Sequence, residues 1–144
     1  METTAEIMEI LGGPSVLGRN ITSESDFLAA IRRGLPYRAL EQVKHRLKLT
    51  DRELVHSIDI HPRTLHRRKS ERRLRSDESD RLSRLARVTA RAIDVLGGEE
   101  NAIRWLRHPN GALGGASPLS YLSTDVGARR VEATLSHIDY GDVS

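Results

Sequence analysis

The sequence predicts an all-α protein, and three observations carry that prediction. Ala, Leu, Arg and Glu usage is high while aromatics make up only 3% of the chain, a composition suited to helices packed on helices rather than to a pocket-bearing sheet. Apolar residues recur at spacings of three and four, and no strand-type alternation survives for more than a few residues. Caps, Gly stops and Pro starts punctuate the chain at intervals that fit short helices. At 144 residues the chain holds about one domain, or two small helical modules sharing one core.

The elements follow in order. Thr3 or Thr4 caps a short helix carrying Ile7, Ile10 and Leu11, which Gly12, Gly13 and Pro14 stop. Ser23 and Asp26 form a capping signal for a second helix with Phe27, Leu28 and Ile31 on one face and Gly34 beyond its end. Pro36 at a first helical position opens a third, with Leu40, Val43 and Leu47 inward. Thr50 and Glu53 make a capping box, so a helix starts at Asp51 and buries Leu54, Val55 and Ile58. After a break at Asp59 to His61, Pro62 presets the first turn of another short helix whose inward residue is Leu65. Two helices joined by about three residues have helix-turn-helix spacing. From Ser76 a longer helix runs to Gly97, with Leu82, Leu85, Ala86, Thr89, Ile93 and Leu96 as its apolar stripe. Glu99 to Leu106 forms one more short helix, and Thr124 caps a terminal helix through Ala128, Val131, Leu135 and Ile138.

Charge is concentrated. The formal net charge is only +3, but between His61 and Arg75 six arginines and Lys69 face a single acid, Glu71. With Leu65 inward, Arg63, Arg67 and Ser70 point nearly opposite and Thr64 to the side, where a helix enters a major groove. Arg68, Lys69, Arg72 and Arg73 lie nearer the flank and exit, where cations hold phosphates rather than read bases.

Other chemistries find little support. Without cysteine there is no thiol nucleophile, disulfide or thiolate metal site, and the six histidines show no ligand spacing on a shared face. No cofactor is expected. The acidic clusters Asp77, Glu78, Asp80 and Glu99-Glu100 fall at helix starts, where the helix dipole explains them without catalysis. The Gly-rich stretch WLRHPNGALGGASPLSYL lacks the Lys and preceding strand of a G-x-x-x-x-G-K-S/T phosphate loop. It reads as a joint: Pro109 stops one helix, Asn110-Gly111 permits positive φ, Ser117-Pro118 starts the next turn, and Leu113 and Leu119 enter the core. Gly127, in the first turn of the terminal helix, marks close helix packing. No apolar run approaches the roughly 20 residues of a membrane span, and the acidic N-terminus is unlike a signal peptide, so the chain is expected to be cytoplasmic.

Glu53-Leu54-Val55, Ile60-His61 and Thr64-Leu65-His66-Arg67 resemble the Cro/repressor-like helix-turn-helix. Asp59 stands where that family has a left-handed Gly, and Val55 where it has a small Ala, which implies a wider helix crossing. Downstream, the spaced Gly, Pro and Trp positions of Ala92 to Gly97, Ala102 to Leu106, Pro109 to Leu119 and Thr124 to Gly141 are similar to the C-terminal domain of the MbcA/ParS/Xre antitoxins. Together they resemble the Xre antitoxin of a RES-Xre pair. The resemblance implies a helix-turn-helix region in residues 1–76, with the motif itself at about 50–71, followed by a small helical toxin-binding domain in 77–144. It further implies a homodimer, and a larger hetero-oligomer with a RES-domain toxin that degrades NAD. The C-terminal region would block the toxin's active site, and the dimer would bind operator DNA to autoregulate the operon.

Within that reading Leu135, Ile138, Asp139, Tyr140, Gly141, Asp142, Val143 and Ser144 are the toxin-binding candidates, because an NAD site must be lined by cations that acids on a tail could occupy. Tyr140 is an amphipathic anchor of the kind that forms interface hot spots. The DNA-binding candidates are Arg63, Thr64, Arg67, Arg68, Lys69, Arg72 and Arg73. The competing expectation is a stand-alone transcriptional regulator whose C-terminal module senses a small ligand.

Overall fold

The computed structural model describes residues 3–139. These form nine α-helices and two short 3-10 turns, and their one extended pairing is an isolated antiparallel bridge between Pro36 and Arg73. Helix α1 (Thr4–Ile10) starts on a capping box in which Thr3 Oγ1 accepts the Glu6 N–H at 3.2 Å and Glu6 Oε2 accepts the Thr3 N–H at 3.3 Å. Ile10 and Leu11 at its end are buried. Pro14, expected only as a stop, instead opens a short helix α2 (Pro14–Leu17), since the N–H that proline lacks has no partner in a first turn anyway.

Helix α3 (Glu24–Arg33) repeats the capping box with Ser23 and Asp26. It buries Phe27 and Ala30, whereas Leu28, expected on the same face, is 48% exposed. Leu28 lies about 100° round the helix from Phe27, which takes it off the stripe that Ala30 and Ile31 share with Phe27. Helix α4 (Tyr37–Arg46) buries Leu40, Val43 and, at its cap, Leu47, with Pro36 as N-cap, one position before the place the sequence suggested.

Helices α5 (Asp51–Ser57) and α6 (Pro62–Glu71) precede the longest element, α7 (Ser76–Leu96, 21 residues). Helices α1, α3, α8 (Glu99–Arg107) and α9 (Asp125–Asp139) all pack on α7. Its burial therefore exceeds a single stripe. Leu82, Leu85, Ala86 and Thr89 are buried as expected, but so are Ser79, Val88, Ala90 and Ala92, while Ile93 is only partly covered. One apolar cluster runs from Ile10 to Leu135. The division of the chain at residue 76 thus falls at the start of a helix that both sides use.

Between α8 and α9 the Gly-rich stretch folds as the 3-10 turns Gly111–Leu113 and Pro118–Tyr121, with Leu113 and Leu119 buried. Asn110 is not left-handed; its φ is −130°, its side chain accepts the Ala112 N–H at 2.8 Å, and the positive φ values fall on Gly114 and Gly115. Thr124 Oγ1 accepts the Gly127 N–H at 3.0 Å, and a Cβ built on Gly127 would lie 1.9 Å from the Tyr121 carbonyl oxygen. The close packing expected at that glycine is therefore a helix start pressed onto the preceding turn. Among the described residues no helix is long and apolar enough to cross a membrane.

Candidate nucleic-acid interface and partner-facing helix

The helix-turn-helix is built from local caps and long-range arginines. Thr50 Oγ1 accepts the Glu53 N–H at 3.1 Å and Glu53 Oε1 accepts the Thr50 N–H at 2.9 Å, so α5 begins where its sequence requires. Leu54 and Ile58 are fully buried and Val55 is half-buried. In the turn Asp59 is left-handed, with φ 50°. Arg81 of α7 secures this turn, donating from Nε to the Ile58 carbonyl at 2.7 Å and from Nη2 to the Asp59 carbonyl at 3.3 Å. His61 caps α6, its Nδ1 accepting the Arg63 N–H at 3.0 Å. The role of Arg81 was not evident from sequence, because it lies more than twenty residues from the turn in the chain.

Leu65 turns inward, and the opposite side of α6 exposes Arg63 and Arg67; Lys69 is also exposed and Thr64 is half-buried. Arg72 is exposed at the C-cap in the left-handed conformation, φ 62°. Arg73 is exposed, but its Nη1 donates to the Gly34 carbonyl at 2.6 Å. That bond fastens the exit of α6 to the start of α4, where the Tyr37 N–H reaches the Arg72 carbonyl at 3.1 Å and the Leu74 N–H the Leu35 carbonyl at 2.9 Å. Gly34 is required there, because a Cβ would lie 2.1 Å from the Leu74 carbonyl oxygen.

Arg68 corrects the sequence-based expectation. It is only 4% exposed, and its Nε donates to both oxygens of Glu78 at 2.8 and 3.1 Å while Nη1 donates to Glu71 at 3.0 Å. The bond to Glu78 raises the guanidinium pKa above its ordinary value, against the opposing effect of burial. Arg68 lies i+3 from Leu65, on the inward side, and so holds α6 to α7 instead of reaching a phosphate.

The C-terminal helix is equally well tied. Arg87 forks onto Glu132 with bonds of 3.2 and 3.0 Å, and Arg91 Nη2 donates to Ser136 Oγ at 2.6 Å. Ala128, Val131 and Leu135 are fully buried. Leu135, counted among the partner-binding candidates, is thus a core residue: it continues the i, i+3, i+4 stripe of Ala128 and Val131 against α7. Ile138 is 41% exposed and Asp139 is exposed. The candidates Tyr140, Gly141, Asp142, Val143 and Ser144 lie outside the described residues. At the start of α9, Val126 is 79% exposed, an apolar side chain that the sequence reading did not single out. Among the described residues no group of three or more His, Asp or Glu side chains is placed to hold a metal ion.

Comparison with known proteins matches this layout in two pieces. Residues 26–87 match the family description of an antitoxin Xre-like helix-turn-helix domain, and residues 91–141 that of an antitoxin Xre/MbcA/ParS C-terminal toxin-binding domain. The chain is similar to the antitoxin Xre of Yersinia enterocolitica, with 30% identity covering 78% of this chain and 77% of that protein. It is also similar to the antitoxin Xre of Photorhabdus laumondii, with 29% identity covering 93% and 88%, and to that of Pseudomonas putida, with 38% identity covering 66% and 63%. Among solved structures it resembles a chain of the M. tuberculosis MbcT-MbcA toxin-antitoxin complex, with TM-score 0.53, 27% identity, and coverage of 73% of this chain and 94% of that one.

Proposed function

Since the chain belongs to the Xre/MbcA/ParS antitoxin family, as an antitoxin with a helix-turn-helix domain, we propose that it neutralises a RES-domain, NAD-degrading toxin and represses its own operon. The labour divides between residues 1–76, which bind operator DNA, and 77–144, which bind the toxin. Neutralisation works by occlusion: the last residues of α9 and those that follow it enter the toxin's active-site cleft, with Ile138 as an apolar anchor and Asp139 and Asp142 on the cations that would otherwise hold the NAD pyrophosphate.

The observation that carries this reading is the end of α9. The helix is locked to α7 up to Leu135 and Ser136, then leaves the core with Ile138 and Asp139 exposed. A rigid stem ending in an uncovered apolar and acidic pair suits delivery of a segment into a cleft, because little ordering is left to do at the binding step. The test is co-expression of the chain with the neighbouring open reading frame, scoring growth and cellular NAD. Full-length chain restores both, and a chain lacking residues 138–144 restores neither while keeping its fold and its DNA binding. Rescue by the truncated chain overturns the occlusion mechanism. A neighbouring frame that leaves NAD intact rules out the NAD-degrading toxin and favours a stand-alone regulator.

On DNA, one helix-turn-helix makes too few contacts for tight specific binding, so two copies act together on a pseudo-palindromic operator. Arg63 and Arg67 face base edges with Thr64 beside them, and Lys69 and Arg72 hold the backbone. Replacing Arg63 or Arg67 costs about 1 to 3 kcal/mol on the operator and relaxes sequence preference, as a base contact would.

A further inference from the structure

The cations of this protein are spent unevenly. From Arg81 to Arg130 every arginine holds a carboxylate, hydroxyl or carbonyl of the chain itself. Lys48, Arg52 and Lys69 are exposed and make no ion pair or side-chain hydrogen bond with another described residue. These three are brought together: all line one groove of about 1090 Å³, with Lys48 in the α4–α5 loop, Arg52 on α5 and Lys69 on α6. Arg52 and Lys48 belong to elements outside the Arg-rich segment, and only the fold joins them to Lys69.

The groove has a definite sign and texture. Four cations line it against two carboxylates, Glu41 and Asp51, and Lys44 neutralises Asp51 at 2.5 Å. Its floor is apolar, made by Leu40, Leu54 and Leu65. Tyr37 lines it as well, and burial, then the charges of Glu41 and Asp51, push the phenol pKa up, so the hydroxyl remains a proton donor. An anionic ligand with apolar stretches between its charges matches such a surface, and a sugar-phosphate strand has that alternation. On α6, Pro62, His66 and Lys69 face this groove while Arg63 and Arg67 lie on the exposed side. One helix thus carries a reading face and, beside it, a wall of the groove.

We propose that the groove between α4 and α6 is the backbone-holding half of the DNA interface, in which Lys48, Arg52 and Lys69 take successive phosphodiesters of the strand flanking the bases that Arg63 and Arg67 face. The assignment rests on the DNA-binding reading above and replaces Arg68 with two cations from outside the recognition helix. Lysine and a singly engaged arginine act on phosphate as charges, so this half of the interface is indifferent to sequence.

The experiment measures binding of the full chain to a duplex from upstream of its operon, and to a scrambled duplex of equal length, across a series of salt concentrations. The double variant Lys48→Gln/Arg52→Gln loses affinity for both duplexes by the same factor and lowers the slope of log K against log salt by about 2, with the operator-to-scramble ratio intact. Arg63→Ala/Arg67→Ala lowers that ratio instead. Both replaced side chains are exposed and hold no ion pair or side-chain hydrogen bond with another described residue, so the double variant keeps the wild-type melting temperature, which circular dichroism checks; Lys69→Gln alone, lowering the slope by about 1, reads the opposite wall independently. An unchanged salt slope in variants of a chain that binds, or a loss confined to the operator duplex, overturns the assignment. A wild-type chain that binds neither duplex overturns the DNA-binding reading itself.

Discussion

Arg107 of α8 forks onto Glu53 of α5, Nε to Oε2 at 3.3 Å and Nη2 to Oε1 at 3.1 Å, while the same carboxylate accepts the Thr50 N–H that opens α5. One side chain therefore both caps the first helix of the helix-turn-helix and ties it to the C-terminal region. Both partners are about one-third exposed, so solvent screens the pair and its share of the stability stays below about 1 kcal/mol. Glu53→Ala loses cap and pair together, about 1 to 2 kcal/mol, and Arg107→Ala loses only the smaller part. Urea titrations of the two single variants and the double variant give the coupling directly; equal losses in the two single variants would contradict the dual role.

Breaking the Arg68–Glu78 pair has a different scale, because both side chains are almost fully buried. Arg68→Ala leaves a buried carboxylate without its partner and costs about 3 to 5 kcal/mol, whereas Arg68→Met with Glu78→Leu recovers most of that loss. Denaturant midpoints of the single and double variants measure it. The recovered double variant should bind DNA with the wild-type salt slope, as expected if Arg68 touches no phosphate.

Asp26 makes stability at the start of α3 depend on pH. Bonds from Thr22 backbone and side chain, then from Ser23, hold its carboxyl below the ordinary aspartate pKa. A depressed folded-state pKa contributes stability that is fully present above about pH 4, the unfolded value, and is lost as pH falls through the lower folded value. Asp26→Asn should be less stable than the parent at pH 6, and the gap should close in strong acid. Urea melts of both chains at several pH values check this.

Gly127→Ala opposes two effects. Alanine improves helix propensity by about 1 kcal/mol, but its Cβ would sit 1.9 Å from a backbone carbonyl that cannot rotate away. Displacing that backbone costs about 1 to 3 kcal/mol, so the variant should melt lower than the parent. A raised melting temperature would show that α9 moves freely against the Pro118–Tyr121 turn.

Much of this architecture was legible because helix ends are local chemistry. The caps at Thr3, Ser23 and Thr50 each act within four residues, and all three form. The left-handed Asp59 could likewise be read from the residue that occupies the turn. What escaped was set across distance. Glu78 reaches Arg68 across the α6–α7 loop, Arg81 reaches back more than twenty residues to the turn, and Lys48 and Arg52 join Lys69 only when α4 and α5 fold against α6. Leu135 differs in kind: local helical spacing alone puts it with Val131 and Ala128 in the core, whatever its nearness to the tail.

The two family matches, 26–87 and 91–141, meet inside α7 with only residues 88–90 between them. An unbroken helix behaves as a spindle, so the angle between the helix-turn-helix and the C-terminal domain is fixed by how many residues separate them. Adding one residue near Ala90 would turn everything beyond it by about 100° and advance it about 1.5 Å along the axis. A chimaera of two such antitoxins joined within α7 must therefore keep residue count as well as sequence, or its two surfaces will be correct singly and misdirected together.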